Sequence, residues 1–449
     1  MKRVYFIGIG GIGMSAIARY FKRKGLEVSG YDRTPSDLTK ALEEEGIPVH
    51  YSDDISFVPA KEDTMVVYTP AIPSDMGELC YVKEKGYKVV KRSAILGEIA
   101  RGQDCLAVAG THGKTTTSTM VAHILTAAGA GCSAFLGGIS KNYNSNLIVG
   151  DKPVIVAEAD EFDRSFLQLF PKIAVITAMD PDHLDIYGTA ESYRQAFRDF
   201  AAQVSDTLII HEGLPISAGD TKAKILSYCF DSTTADFRAE NARIDEFGHY
   251  VFDLVYPGGT IKNMRAGVPG RFNAENTLAA AALCLAYGTA EGAVRSGADS
   301  FAGVCRRLDI HLNRGGKLVY VDDYAHHPEE LASAIRSLRG IFPGKKLTAV
   351  FQPHLYTRTR DFADGFAASL SQVDKLILLP IYPAREEPIP GVESEMILGK
   401  VTAPEKVLIQ KEDLISYIEK EPLEVLVTFG AGNIDRYIEP ITRLLSERA

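Results

Sequence analysis

The chain has 449 residues, more than one hydrophobic core usually supports, and we expect three domains. Hydrophobic residues make up 46% and charged residues 24%, which is typical of a globular protein and excludes disorder. The net charge of −9 argues against a nucleic acid or an anionic membrane as partner, because each would require a basic face. The six cysteines form no C-x-x-C pair, and no apolar run approaches the ~20 residues of a membrane span. We therefore expect no disulfide framework, zinc site, leader or anchor, and a cytoplasmic protein.

Short apolar runs alternate with helical patterns along the whole chain, which is typical of an α/β fold with parallel sheets and helices on both faces. The alternation restarts twice, and this predicts domains at residues 1–100, 101–310 and 311–449. The strands are predicted in chain order at residues 4–8, 28–31, 106–109, 154–157, 173–177, 207–210, 317–321, 347–351, 375–379 and 425–428. Helices are predicted near residues 15–24, from about residue 115 to Gly129, and at 276–287. Short alternating strands between residues 227 and 264 indicate a β-rich insert in the central domain.

The first glycine-rich loop, Gly8-Ile9-Gly10-Gly11-Ile12-Gly13, fits G-x-G-x-x-G between a strand and a helix. Asp32 lies at the end of the next strand, where the diol of a ribose could be bound. Alone, this pattern is typical of NAD binding, so NAD-dependent oxidoreduction is one interpretation. A dehydrogenase does not need a second, ATP-type loop about a hundred residues later. With both loops present, we predict a UDP-type diphosphate at the first loop and ATP at the second.

The second loop, residues 110–117, reads Gly-Thr-His-Gly-Lys-Thr-Thr-Thr between a predicted strand and a predicted helix. Its glycines allow backbone N–H groups to converge on phosphate oxygens, and the helix adds its positive N-terminal end. Lys114 would reach the terminal phosphates, and Thr115 would offer a hydroxyl to Mg²⁺. Val108 stands where the general phosphate loop has its first glycine, so this loop is a variant. The alternative is a tight strand-to-helix turn with a solvated lysine.

Two clusters of chemically active side chains follow the next strands. They are Glu158, Asp160, Glu161 and Asp163 after one strand, and Asp180, Asp182, His183 and Asp185 after another. Ligands of open α/β sheets bind beyond the carboxyl ends of the strands, so both clusters are expected to meet Mg²⁺ and ATP. Carboxylates suit Mg²⁺, whereas imidazole is a less usual ligand for it. N-capping of helices is the alternative role for the acidic residues, and it explains His183 poorly.

Four motifs together closely resemble the Mur ligases of peptidoglycan synthesis, over essentially the whole chain. They are residues 110–115, Glu158-Ala159-Asp160-Glu161, Asp182-His183-Leu184-Asp185 and Gly270-Arg271-Phe272-Asn273-Ala274-Glu275-Asn276. The resemblance implies an N-terminal Rossmann-like domain that holds the UDP portion and a central P-loop ATPase-like domain with a parallel sheet and a small β insert. It also implies a C-terminal Rossmann-like domain that closes over ATP and brings in the amino acid.

Within the family, further segments are most like the ligase that joins L-alanine to UDP-N-acetylmuramate. They are His112, residues 8–15, Asp322-Asp323-Tyr324-Ala325-His326-His327-Pro328 and residues 352–360. The likeness implies that the muramoyl carboxylate attacks the γ-phosphate of ATP to give an acyl phosphate. The amine of L-alanine then attacks with loss of phosphate. The implied cofactors are ATP and Mg²⁺, and the protein would be a monomer or homodimer.

The resemblance also assigns roles to individual residues. Catalytic roles fall to Lys114, Glu158, His183 and Arg307, and metal binding to Thr115, Glu158 and His183. ATP would be bound by Gly110, Thr111, His112, Gly113, Lys114, Thr115, Thr116, Asn273, Asn276, Arg307 and Asp322. The UDP-sugar would be bound by Gly8, Gly10, Gly11, Gly13, Asp32 and His112, and L-alanine by Tyr324, His326 and Arg358. Arg358 would pair with the alanine carboxylate, for which a planar guanidinium is suited.

Simpler roles stay open for several of these residues. Asn273 or Asn276 could be a helix N-cap or a surface amide, Arg306 and Arg307 a solvated pair, and His326 a structural histidine. The chain also departs from the family pattern. Phe272 stands where members often have histidine, so adenine could be contacted by stacking, and Leu355 stands where some have arginine. No lysine is assigned as the carbamylated metal ligand of related ligases.

Two other functions compete with the alanine ligase. One is a murein-peptide ligase that attaches a recycled tripeptide to the same UDP sugar with the same ATP chemistry. The other is a nucleotide-dependent switch or binding protein without an amide product, which the phosphate loop alone would also suit.

Overall fold

The computed structural model describes residues 1–182, 184–384 and 386–448. Three of its sheets consist mainly of parallel strands joined through helices, so the predicted α/β class is confirmed. None of the helices in the described part of the chain combines the length and the apolarity that a bilayer crossing requires. The chain forms two compact units. They are Met1–Arg243 with Val251–Val268 and Asn273–Gly303, and Ile244–Tyr250 with Pro269–Phe272 and Val304–Ala449.

The first sheet has five parallel strands in the order β3-β2-β1-β4-β5. The strands are β1 (Arg3–Ile7), β2 (Glu27–Tyr31), β3 (Val49–His50), β4 (Thr64–Tyr68) and β5 (Lys88–Lys91). The helices are α1 (Ile12–Arg23), α2 (Asp37–Glu44), α3 (Gly77–Glu84) and α4 (Arg92–Ala100). The central strand β1 is apolar on both faces because helices cover both, as is usual in parallel sheets.

The second sheet has seven strands in the order β12-β11-β10-β6-β9-β7-β8, of which only the pair β7–β8 is antiparallel among those described. The strands are β6 (Asp104–Ala109), β7 (Ser133–Ser140), β8 (Ser145–Ile148), β9 (Val154–Ala159), β10 (Ile173–Ile176), β11 (Thr207–His211) and β12 (Lys224–Tyr228). The helices are α5 (Lys114–Ala127), α6 (Leu184–Tyr187), α7 (Ala190–Ala202), α8 (Arg271–Ala286) and α9 (Glu291–Ser300).

Strand β6 is the point where the strand order of the second sheet reverses. Its neighbours are β9 on one side and β10 on the other, in parallel register on both. At such a point, the connections that follow two adjacent strands run to opposite sides and leave a crevice beyond the carboxyl ends of these strands. Ligands of α/β proteins bind in this crevice. The loop after β6 is residues 110–113, so the topology places it at this crevice.

The first and second sheets share one hydrophobic core. The same apolar cluster contains Phe6 and Ile17 from the first part of the chain and Phe135, Leu147 and Ile155 from the second sheet. Helix α1 also packs on β7 and β8 through a buried polar contact. There, Arg19 Nη1 donates to Asn146 Oδ1 at 2.6 Å, and Asn146 Nδ2 donates to the carbonyl of Ile12 at 2.5 Å. These contacts fix the start of α1 against the second sheet.

The third sheet is the predicted β-rich insert. Its strands lie in the order β13-β14-β15 and are β13 (Arg238–Ile244), β14 (Tyr250–Tyr256) and β15 (Gly259–Arg265). Strands β14 and β15 are antiparallel, so a short connection suffices between them.

The fourth sheet has the order β16-β17-β21-β18-β19-β20, with β16 antiparallel to β17 and the other described pairs parallel. The strands are β16 (Asp309–Asn313), β17 (Val319–Asp323), β18 (Leu347–Phe351), β19 (Lys375–Leu378), β20 (Glu405–Leu408) and β21 (Val425–Phe429). The helices are α10 (Pro328–Ile341), α11 (Tyr356–Asp361), α12 (Ala363–Leu370), α13 (Glu395–Leu398), α14 (Leu414–Lys420) and α15 (Ile438–Glu447).

The elements depart from the pattern-based expectations at one helix start and at several strands. Helix α8 begins at Arg271, five residues before the predicted start, because polar residues of its first turns are buried and interrupt the apolar pattern. Several strands were not predicted: the parallel strands β3, β4, β5, β12 and β20, the pair β7 and β8, and the antiparallel strand β16. In β16, polar residues interrupt the apolar run, and its pairing with β17 is a tertiary feature that local periodicity does not report.

Candidate active site

The loop after β6 has a fixed conformation. Gly110 and Gly113 have φ values of +135° and +79°, which favour glycine, and Gly113 is the N-cap of α5. The hydroxyl of Thr111 donates to the carbonyl of Asp180 at 2.8 Å, and Thr177 donates through its hydroxyl to the carbonyl of His112. The segment after β10 therefore holds the loop in place. The first N–H groups of α5 point toward the space that this loop encloses, as at any helix start.

Lys114 forms an ion pair with the buried Glu161. Its Nζ lies 2.7 Å from Oε2 and 2.9 Å from Oε1 of Glu161, which is only 1% exposed, and it also donates to the carbonyl of Gly110 at 2.6 Å. Burial lowers the pKa of Lys114, but the carboxylates of Glu161, Asp160 and Glu158 outweigh it and raise the pKa above its usual value. Lys114 is therefore a charged ammonium at the loop. Sequence reasoning named Glu161 in a motif but missed this pairing.

Glu158 stands near the carboxyl end of β9, directly beside β6, where it pairs in register with Val108. A Cβ atom on Gly137 of β7 would collide with both carboxylate oxygens of Glu158. The carboxylate of Glu158 therefore occupies the space that any other residue at position 137 would fill with its side chain. Thr115 lies buried in the first turn of α5, and Thr116 is buried next to it. Carboxylate and hydroxyl oxygens are hard donors that suit Mg²⁺. The space that Gly137 leaves for the carboxylate of Glu158 is consistent with a metal ligand at this position. His183, the third predicted metal ligand, lies outside the described residues.

Asn273 and Asn276 lie on the first turns of α8 and are both buried. Asn273 is inside the helix and is therefore not its N-cap. Asn276 accepts a hydrogen bond from the hydroxyl of Thr117 at 3.3 Å, and its Oδ1 would lie 2.6 Å from a Cβ atom on Gly113. The Nδ2 of Asn276 is buried and finds no acceptor within the described ranges. Because a buried donor without an acceptor is costly, this amide fits a ligand oxygen at the phosphate loop.

The N-terminal glycine loop is closed by Asp32. Its Oδ2 accepts the backbone N–H of Gly10 at 2.7 Å, and Gly11 is the N-cap of α1. Gly8 has a φ of +88°, and a Cβ atom on Gly13 would lie 2.6 Å from Nη1 of Arg92. The carboxylate of Asp32 thus fixes the loop. Its predicted contact with a ribose stays a prediction.

A cavity of about 110 Å³ lies between the start of α1 and the strands β7 and β9 of the second sheet. Its walls are formed by Ile12, Gly13, Ile17, Arg92, Leu96, Phe135, Leu136, Gly137, Glu158 and Asp160. Arg92, which begins α4, donates to Asp160 through Nη2 at 3.0 Å. The glycine loop and the end of β9 therefore face one space, largely apolar, whose wall carries one guanidinium and two carboxylates. No sequence motif identified Arg92, because it meets this site only through the tertiary fold.

The residues predicted for L-alanine lie together in the second unit. The ring centres of Tyr324 and His326 are 5.2 Å apart, and the ring centre of His354 lies 6.2 Å from that of His326. The Nδ1 atom of His354 lies 3.5 Å from Nη1 of Arg358. The Nδ1 of His326 lies 3.0 Å from the carbonyl of Tyr324 and 3.3 Å from Oε2 of Glu330. Burial lowers the pKa of His326, against a rise from Glu330. His326 is therefore a neutral imidazole at neutral pH.

Arg306 and Arg307, next to this cluster, contact different acidic residues. Arg306 Nε lies 2.9 Å from the fully buried Asp322, whose Oδ1 also accepts from the hydroxyl of Thr428 at 2.7 Å. Arg307 Nη1 lies 3.9 Å from Glu330, and its guanidinium is 5.5 Å from the ring centre of Tyr324. Neither arginine is simply solvated. The ATP contacts predicted for Arg307 and Asp322 stay predictions.

The two departures from the family pattern have local structural roles. Phe272 packs against the apolar core of the fourth sheet as a half-buried residue. Leu355 is buried, has a φ of +71°, and precedes α11, where its N–H donates to the carbonyl of Tyr382. Positive φ is unusual for leucine, so the surrounding structure holds this turn.

Comparison with protein families gives three matches along the chain. A model described as the Mur ligase family, catalytic domain, matches residues 3–104, the Mur ligase middle domain matches 108–284, and the Mur ligase glutamate ligase domain matches 306–432. The UDP-N-acetylmuramate–L-alanine ligase of Parabacteroides distasonis is 50% identical over 99% of this chain and 97% of its own. The UDP-N-acetylmuramate–L-alanine ligase of Flavobacterium johnsoniae is 48% identical over 100% of this chain and 98% of its own.

Solved structures resemble the chain over its full length. The UDP-N-acetylmuramate-alanine ligase of Thermotoga maritima has a TM-score of 0.84 at 25% identity, with 100% of both chains covered. A murein peptide ligase of Psychrobacter arcticus has a TM-score of 0.72 at 21% identity and the same coverage, a likeness of fold. The resemblance of the sequence motifs is thus confirmed, and the chain belongs to the Mur ligase family.

Proposed function

We propose that this chain joins L-alanine to the carboxylate of UDP-N-acetylmuramate in an ATP-dependent reaction that releases ADP and phosphate. Relatives named for this activity are about half identical to the chain over nearly its whole length. The cavity bounded by Arg92 and Glu158 carries the proposal, because it connects the glycine loop with the strand beside the phosphate loop. The reaction belongs to peptidoglycan precursor synthesis, and we place it in the cytoplasm, in three domains divided near residues 100 and 310.

The glycine loop would bind the diphosphate of the UDP-sugar. The N–H of Gly13 and the N-terminal end of α1 supply positive potential without a basic surface, which suits a chain of net charge −9. Gly8, Gly10 and Gly11 would shape the loop around the diphosphate, because the N–H of Gly10 is held by Asp32. The sugar and its carboxylate would then occupy the cavity. Arg92 on its wall would attract the carboxylate and exchange its present partner Asp160 for it.

ATP would lie with its terminal phosphates on residues 110–116. Lys114 would exchange Glu161 for phosphate oxygens, and the buried Nδ2 of Asn276 would donate to the same ligand. A muramoyl carboxylate oxygen attacks the γ-phosphorus, the bond to the β–γ bridging oxygen breaks, and ADP leaves with that electron pair. Lys114 neutralises the charge on the moving phosphoryl group, which is the main help that phosphoryl transfer needs.

Thr115 and Glu158 would hold Mg²⁺ at this site. When bound, the ion would withdraw charge from the phosphate oxygens and orient them for the attack. We propose His183 as a ligand of a second ion, from the family motif alone.

L-alanine would bind at Tyr324, His326 and Arg358. The guanidinium of Arg358 suits a bidentate contact with the alanine carboxylate. His326 carries its proton on Nδ1, which faces the carbonyl of Tyr324, so its Nε2 is in the acceptor form and suits the amine. The neutral amine nitrogen attacks the acyl carbon, the bond from that carbon to the phosphate oxygen breaks with its electron pair on phosphate, and the departing phosphate takes up the excess proton from nitrogen.

The test is a three-component assay of the full chain with ATP, Mg²⁺ and UDP-N-acetylmuramate. ADP release is measured with L-alanine or with the tripeptide, and the sugar nucleotide is weighed by mass spectrometry. We expect ADP and one amide product with L-alanine. Release with the tripeptide only would establish the murein-peptide ligase instead. ADP release without a change in the mass of the sugar nucleotide would favour a nucleotide-dependent switch.

A further inference from the structure

A histidine, a cysteine and a glutamate converge at the outer end of the second sheet, apart from the residues assigned above. His211 ends β11, Cys229 follows β12, and Glu275 lies on α8. One ligand atom from each lies within 4.8 Å of the other two. No other trio of metal-binding side chains meets this condition in the part of the chain that the structure describes.

The hydrogen bonds of His211 fix which ring nitrogen can bind a ligand. Its Nδ1 lies 3.0 Å from the carbonyl of Glu212, which can only accept, so Nδ1 carries the proton. Its Nε2 lies 3.6 Å from Oε1 of Glu275. A histidine that donates one N–H to a carbonyl and presents the other nitrogen as a lone pair is the usual arrangement of a metal ligand.

The backbone around the trio is held in place independently of any ligand. Strands β11 and β12 pair in register up to His211 and Tyr228, whose rings pack edge to face at 5.2 Å. The N–H of Phe230 donates to Oε1 of Glu275 at 3.1 Å and ties the segment after β12 to α8. The spacing of 3.6 Å between Nε2 and Oε1 is close to the separation of two ligands on one tetrahedral ion, about 3.3 to 3.6 Å for bonds of roughly 2.0 to 2.2 Å.

We propose that His211, Cys229 and Glu275 form a binding site for a divalent transition-metal ion of the zinc type. Imidazole, thiolate and carboxylate are the ligands of Zn²⁺ and Co²⁺, whereas Mg²⁺ avoids sulfur and prefers oxygen. All three side chains are half-buried, so water can complete a fourth position. The sequence lacks C-x-x-C spacing because the ligands come from two neighbouring strands and a helix.

The site would link metal binding to the start of α8. Glu275 stands between Asn273 and Asn276 on that helix, while the other two ligands belong to the edge of the sheet. A bound ion would therefore cross-link three elements and raise the temperature of unfolding, because it binds only the folded chain.

Cobalt binding to the full chain, without nucleotide or UDP-sugar, tests this site. Co²⁺ bound by a thiolate absorbs in the near ultraviolet, and we expect this band to saturate at one ion per chain. Zn²⁺ should remove the band, and an excess of Mg²⁺ should not. C229S should abolish the band, and H211Q and E275Q should weaken Co²⁺ binding by about tenfold or more. C80S, which alters an exposed cysteine elsewhere, should leave the band unchanged.

Thermal unfolding of each variant without metal shows whether it is folded. The proposal is overturned if the wild-type chain gives no thiolate band with Co²⁺, or if the band survives in C229S. It is equally overturned if H211Q and E275Q, both folded, bind Co²⁺ as well as the wild type. If C229S does not fold, the two other variants decide alone.

Discussion

The ammonium of Lys114 and the carboxylate of Glu161 form an ion pair inside the loop that is proposed to receive phosphate. Glu161 is removed from water and Lys114 is only 13% exposed, so the buried carboxylate depends on the ammonium for its charge. A phosphate that arrives at this loop must displace Glu161 from Lys114. The pair therefore keeps the cation in place and charged before the nucleotide binds.

We expect Lys114→Ala to abolish ADP release while the UDP-sugar still binds, because the glycine loop does not contact Lys114. The loss should reach at least about a hundredfold, as for other groups that stabilise a transferring phosphoryl. Stability should also fall by about 3 kcal/mol, since Glu161 remains buried without its cation. ADP release and calorimetric titration with the UDP-sugar measure the two effects. Lys172→Ala, which removes a half-exposed lysine paired with Asp104, is the control, and equal activities of the two variants would contradict the assignment.

We expect Gly137→Ala to impair the metal-dependent step. A methyl group at this position would collide with the carboxylate of Glu158 and turn it away from the site proposed for Mg²⁺. The Mg²⁺ concentration for half-maximal turnover should rise about tenfold, which corresponds to about 1.4 kcal/mol of lost binding. The matched control is Gly292→Ala on α9, where the methyl group meets nothing within 4 Å. An unchanged Mg²⁺ dependence in Gly137→Ala would remove Glu158 from the metal site.

We expect Glu78→Gln to change how stability depends on pH. Burial raises the pKa of Glu78 from 4.5 to about 7, although hydrogen bonds from Tyr5 and the N–H of Asp54 lower it in part. A raised pKa in the folded state means that the stabilisation is complete below about pH 4.5 and is lost as pH rises through about 7. Between pH 5 and pH 8 the wild type should lose on the order of 2 kcal/mol relative to the variant, with one pKa unit worth about 1.4 kcal/mol. Urea unfolding of both proteins across this range gives the difference, and parallel curves would count against a raised pKa.

We expect Arg358→Lys to raise the KM for L-alanine by about tenfold or more, because an ammonium cannot reproduce a bidentate contact with a carboxylate. The KM for ATP should stay within about twofold, which is roughly 0.4 kcal/mol. Arg360→Lys on the same helix is the control, since Arg360 is exposed and pairs with Asp361. If both variants have the wild-type KM for L-alanine, Arg358 does not bind its carboxylate.

The sequence predicted those parts of the protein that depend on local pattern. The phosphate loop was visible because Lys114 and its neighbours sit between a strand and a helix, and the strands that were predicted fall within a few residues of their predicted bounds. Periodicity reports which segments form strands and which residues follow them. It therefore located Glu158 at a strand end before its environment was known.

The rest of the site depends on residues that meet only in the folded chain. Arg92 reaches the cavity because α4 begins there, and Gly137 matters only because β7 runs beside Glu158. Neither belongs to a motif. The same holds for Cys229, which meets His211 because their strands pair, and Glu275 because α8 packs nearby.

The apolar core that the first two sheets share has a thermodynamic consequence. Ile17 and Phe135 belong to the same cluster, so neither sheet can lose its packing without exposing the other. A fragment ending near residue 100 would present that apolar face to water and would tend to aggregate. In the whole chain, a ligand on the glycine loop would protect the phosphate-loop sheet against unfolding as well, because both sheets would melt as one cooperative unit.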